Sequence, residues 1–225
     1  MMRIDILTAV PDLLVSPLKA SIIGRAQAKG KVEININNLR DYAYDKHKQI
    51  DDKPFGGGPG MVLKPEPFFE CIESLMIKRK YDHIIFTTPK GKIFDQKCAN
   101  RFSLAKNVII IAGHYKEIDD RVREYFATDE ISIGNFVLTG GELPALMIID
   151  AVVRLIPGVL NDSEAALQDS FQDGEIIEAQ YYTRPAEYRG MKVPDVLLSG
   201  NDKEILKWKK EQSKILTQKW KEINN

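Results

Sequence analysis

From residue 3 to residue 156, strand-like runs alternate with helical patterns, and that alternation most restricts the fold. The strand-like runs are "RIDILTAV" (3–10), "KVEININNL" (31–39), "DHIIFTTP" (82–89), "NVIIIAG" (107–113) and "EISIGNFVL" (130–138). Several are rich in β-branched residues, with Gly, Pro or Asn at their ends. Helical patterns occupy about 17–28, 65–79, 95–105, 119–127 and 142–156. Such a sequence folds as an α/β domain with a mostly parallel sheet. In the last helix, Ala145, Ile148, Ile149, Val152, Val153 and Ile156 form one apolar stripe at 100° per residue. Asp150 and Arg154 lie on the other side, and "PGV" (157–159) ends the helix.

The chain beyond residue 159 reads differently. "LNDSEAALQDSFQDGE" (160–175) is polar and acidic without clear period, as expected of a linker or mobile loop. Residues 176–225 read as a small helical domain. Between Lys203 and Lys221, seven lysines against Glu204 and Glu211 give +5, with Trp208 and Trp220 interleaved. That is a local basic surface in a chain whose 32 Lys and Arg balance 32 Asp and Glu, so a polyanion would meet a patch rather than a global charge. A solvated helix whose tryptophans pack inward is the plainer reading. Cys71 and Cys98 are far apart and fit neither a zinc site nor a disulfide framework, so no metal is expected. No run reaches the roughly 18 apolar residues of a membrane span. The N-terminus carries Asp5 inside its apolar run, as a strand does and a signal peptide does not. A cytoplasmic protein is expected.

Four glycine-containing loops are candidates for chemistry. "DDKPFGGGPGM" (51–61) has three consecutive glycines, then Pro59 and Gly60, between apolar anchors. It can approach a flat ligand closely, or be a plain surface turn. It is not a P-loop, because no Gly-Lys-Ser/Thr closes it. "TTPKG" (87–91), "AGHYKEIDDR" (112–121) and "SIGNFVLTGGELP" (132–144) each leave a strand-like run. In an open α/β sheet, ligands gather at the carboxyl ends of strands. A pocket from these loops would be mostly backbone and apolar, suiting a neutral or cationic small molecule better than a triphosphate. Arg154 could be a surface partner of Asp150, worth a few tenths of a kcal/mol. Asp169 in "QDSF" could cap a turn. His47, His83 and His114 are scattered in no catalytic spacing.

Taken together, "DDKPFGGGPGM", "GHYKEIDDR", "SIGNFVLTGGELPA", "IPGVL", "DSF", "YTRP" and "VPDVLLSGN" resemble the bacterial tRNA (guanine-N1)-methyltransferases, in the same order from Ile4 to about Trp208. The resemblance implies a SPOUT-type fold with a trefoil knot, an exception to the rule against threaded loops. It implies S-adenosylmethionine as methyl donor, guanine 37 of tRNA as target, and a homodimer with a shared active site. Pro89, Gly113, Tyr115, Ile133, Gly134, Asn135, Phe136, Val137, Leu138, Gly140, Gly141 and Pro144 would then enclose the donor. Arg154 and Asp169 match the two catalytic positions, with Asp169 acting across the dimer. Pro59, Gly60 and Ser170 would meet the substrate, and the basic C-terminal helices would hold tRNA phosphates. One departure stands out. Lys116-Glu117 replaces the family's common Glu-Gly after the tyrosine, leaving Glu117 to supply any carboxylate there.

Overall fold

The computed structural model of the chain describes residues 1–160, 169–172 and 174–224. It divides into two compact units, Met1–Asn161 and Asp162–Asn225. The first holds a five-stranded sheet of β1 (Met2–Thr8), β2 (Val32–Asn38), β5 (His83–Ile93), β6 (Asn107–Ile111) and β8 (Asp129–Ser132), in the order β2-β1-β6-β5-β8. All four neighbouring pairs are parallel, so the predicted α/β class with a mostly parallel sheet holds. Helices cover both faces. Helices α1 (Asp12–Lys19), α2 (Ser21–Ala28), α4 (Gln96–Ser103) and α6 (Glu142–Val153) pack on one side; α3 (Pro65–Lys78) and α5 (Asp120–Phe126) pack on the other. Central strand β6 explains its own sequence. Val108 and Ile110 enter one core layer and Ile109 and Ile111 the other, so an unbroken apolar run is what a doubly covered parallel strand requires.

Several boundaries differ from those the sequence suggests. The single helix expected at 17–28 is two helices meeting at Ala20, whose extended backbone (ψ 161°) breaks the turn. The strand expected over 130–138 stops at Ser132. At Gly134, φ of 144° turns the chain out of the sheet. β5 contains a bulge instead of ending: Thr87 and Lys92 both pair with Ile131, and the intervening residues loop out. A Cβ on Gly91 would lie 2.5 Å from the backbone of Glu130 and Ile131, so glycine is what permits this close approach.

Asp5 is fully buried in β1. Arg3 reaches it with two hydrogen bonds of 2.8 and 2.9 Å, and the Tyr81 hydroxyl donates a third at 2.6 Å. Burial, then the Asp5 carboxylate, push the Tyr81 hydroxyl well above its ordinary range, so it remains a donor. Arg3→Ala would leave a buried carboxylate short of its counter-ion. Such losses cost about 3–5 kcal/mol, and the remaining Tyr81 bond favours the lower end. Urea unfolding should show the midpoint falling without a change of slope. Cys71 and Cys98 are both buried and free, and burial pushes the Cys71 thiol up to about 12.

In the second unit, β9 (Glu187–Tyr188) and β10 (Met191–Lys192) form a small antiparallel hairpin, followed by α7 (Asp195–Leu198) and the long α8 (Asp202–Asn224). No described residue of this unit is fully buried. Its elements are joined by polar clips and two aromatic pairs, Phe171–Trp220 and Tyr182–Trp208. The expected 160–175 linker lies largely outside the described residues. Among the described residues no helix is long and apolar enough to cross a membrane, and no cluster of His, Cys, Asp or Glu could hold a metal ion.

Candidate functional site

The bulge of β5 and the loops following β6 and β8 converge outside the carboxyl ends of those strands. Every predicted donor-binding residue except Asn135 lines the cleft they form. The cleft is open to solvent. The walls are largely backbone and apolar side chains, with Thr87, Thr88, His114, Lys116, Glu117, Ile131, Ser132 and Thr139 added to the predicted set. The stretch before α6 is tightly held. The Gly141 amide donates to the Gly113 carbonyl at 2.7 Å, and Gly140 bridges His114. A Cβ on Gly141 would collide with Thr87 Oγ1 and come within 2.9 Å of Ala112 Cα and the Gly113 nitrogen. Two backbone segments therefore meet where no side chain fits. The glycines serve close chain packing, and no phosphate cradle is needed to explain them.

Beneath this turn lies Glu142, 1% exposed. Its Oε1 accepts from Thr8 Oγ1 at 2.7 Å, and its Oε2 sits 3.4 Å from His114 Nδ1. One carboxylate thus ties the end of β1, the start of α6 and the loop after β6. Sequence reasoning missed Glu142 and Thr8, which are 134 residues apart. The available signal was a carboxylate placed directly between two glycines and an apolar stripe. Gly141→Ala tests the packing. Overfilling costs about 1–3 kcal/mol, and here the obstructing atoms are mostly backbone. The melting temperature should fall.

A second small sheet sets the rim. β3 (Asp51–Asp52), β4 (Val62–Leu63) and β7 (Glu117–Ile118) pair in that order. The 56–60 loop between β3 and β4 is thereby clipped to the loop after β6, with the Lys116 amide donating to the Met61 carbonyl at 3.1 Å. Pro59 and Gly60 are exposed on it. The Lys116 chain runs along these glycines: Cβ positions at Gly60 and Gly58 would meet its Cβ at 3.3 Å and Nζ at 3.4 Å. Glu117 is engaged by Lys90 at 3.1 Å. Tyr115 adopts φ of 62°, uncommon for a residue with a side chain, and its hydroxyl accepts from Arg40 at 3.4 Å. A cleft of largely backbone and apolar walls, with its one lysine laid along a neighbouring loop, suits a neutral or cationic small molecule better than a polyphosphate.

Arg154 is half-buried at the C-terminal cap of α6. Asp169 and Ser170 belong to the second unit, where Ser170 Oγ accepts from the Glu178 amide at 3.0 Å. Asp169, Lys210, Lys214 and Lys221 line a groove beside α8.

The family described as tRNA (Guanine-1)-methyltransferase TrmD matches residues 2–222. The chain belongs to this family. Curated relatives named tRNA (guanine-N(1)-)-methyltransferase include one from Chlorobaculum tepidum, 56% identical over 216 residues, covering 96% of this chain and 94% of the relative. Another, from Bacteroides fragilis, is 55% identical over 212 residues, with 94% of each chain covered. One from Cytophaga hutchinsonii is 56% identical over 212 residues, covering 94% of this chain and 90% of the relative. The resemblance read from the sequence motifs therefore holds. In this guanine-1 methyltransferase family member, the matched span includes every cleft-forming loop.

Proposed function

We propose that this protein transfers the methyl group of S-adenosylmethionine to nitrogen 1 of guanine 37 in tRNA. The observation that carries the reading is the family match across residues 2–222, with the "GHYKE" and "SIGNFVLTGGELP" stretches lining one cleft. When bound, S-adenosylmethionine supplies an already activated methyl group. The chain's task is then the acceptor, since guanine nitrogen 1 is a poor nucleophile until it loses its proton. Asp169 takes that proton as general base. Arg154 stabilises the charge that builds on the neighbouring carbonyl oxygen. Donor binding falls to the cleft residues, and Asn135 keeps a donor role only through its neighbours on the 133–138 segment. Pro59, Gly60 and Ser170 meet the substrate.

The working unit is a homodimer in the cytoplasm, with Asp169 serving the partner's cleft. Leu143 and Met147, one turn apart on α6, are 51% and 52% exposed; they are apolar surface for a second copy to cover. On α8, Lys203, Lys207, Lys210, Lys214 and Lys221 fall on one face at 100° per residue, suited to tRNA phosphates. A trefoil knot in the Gly113–Gly141 region belongs to the same reading. Calorimetry with S-adenosylmethionine, paired with a methyl-transfer assay on unmodified tRNA, tests it. Saturable binding and turnover are expected. Neither binding nor turnover would leave a non-catalytic RNA-binding protein.

A further inference from the structure

We infer that Trp220 is a positioning residue for Asp169, fastening the aspartate's turn to the C-terminal helix through the Phe171 ring. The inference rests on the reading of Asp169 as the base. The turn from Asp169 to Gln172 carries Phe171 at φ +70°, a conformation that residues with side chains adopt only when their surroundings impose it. Those surroundings are identifiable. The Phe171 amide donates to the Ile176 carbonyl at 2.8 Å, and its ring meets Trp220 edge-on, with centroids 5.3 Å apart and planes at 66°. Residues 175–180 are clipped to the same helix: the Ile177 amide donates to Thr217 Oγ1 at 2.9 Å, Ser213 Oγ donates to the Ile177 carbonyl at 2.5 Å, and Lys221 pairs with Glu175 at 3.1 Å.

No described residue in this unit is fully buried, so no core duplicates the aromatic anchor. Edge-on aromatic pairs are directional, and the ring therefore fixes where the strained turn sits as well as that it stays attached. Because Trp220 lies between Lys214 and Lys221, the residues suited to phosphate and the residue that places the base share one stretch of α8. Misplacing a catalytic group by about 1 Å can cost about 10²-fold.

Single-turnover methyl transfer by full-length Trp220→Ala, Trp220→Phe, Asp169→Asn and the double variant Asp169→Asn/Trp220→Ala tests this. Trp220→Ala should be about 10–100-fold slower, with tRNA and S-adenosylmethionine affinities within about twofold of the parent. Trp220→Phe should recover most of the rate. Adding Trp220→Ala to Asp169→Asn should cost nothing further, since residues acting through one group are not additive. Parental speed in Trp220→Ala beside a crippled Asp169→Asn overturns the positioning role alone, as do losses that multiply. Full activity in Asp169→Asn overturns the base assignment instead. If Trp220→Ala loses helicity, Phe171→Leu provides the same comparison from the other ring.

Discussion

Asparagine in place of Asp169 is expected to slow single-turnover methyl transfer by about 10²–10⁴-fold, the usual range for a positioned general base. The substitution keeps shape and hydrogen-bonding capacity but cannot accept the proton from guanine nitrogen 1. Fold damage is not expected, because the turn is held by its neighbours: Ser170 accepts from Glu178, and Phe171 bonds Ile176 and packs on Trp220. Donor affinity should stay within about twofold, since every cleft-lining residue lies in the Met1–Asn161 unit. A normal rate would remove Asp169 from the chemistry.

Arg154→Ala is expected to lower the rate by about 10²–10³-fold, as removal of an oxyanion-type donor does. Lysine should restore only part of it, because a point charge does not reproduce the planar guanidinium. The residue's place is fixed by a helix whose apolar stripe, Ala145 to Val153, is buried. The rate deficit should therefore appear in protein that circular dichroism shows to be folded. The two variants also test the shared site. If Asp169 serves the partner's cleft, mixing Asp169→Asn with Arg154→Ala gives heterodimers with one intact site. Random exchange between symmetric dimers should then restore about one quarter of parental activity. No recovery would place both groups in the same subunit's site.

The sequence disclosed the elements that have a period. β6, fully apolar because both faces are covered, and α6, with its single buried stripe, were both recognisable. The site loops were recognisable as glycine- and proline-bearing exits from strands. What escaped has no local period. The two-residue strands β3, β4 and β7 hold the 56–60 loop at the rim, yet a pair of residues carries no alternation. The Thr8–Glu142 tie joins residues 134 positions apart, and only the folded sheet brings them together. The β5 bulge shows in pairing register, and in composition only as Gly91. "EISIGNFVL" looked like strand to its end because its apolar residues continue past Gly134; there they line the cleft instead of the core.

Mass mapping of tRNA after reaction tests the central claim most directly. Unmodified tRNA with guanine at position 37, incubated with the protein and S-adenosylmethionine, should gain one methyl on the fragment containing that guanine, at nitrogen 1. The same tRNA with adenine at position 37 should gain none. A methyl on any other nucleotide, or on the adenine-substituted tRNA, would contradict the account.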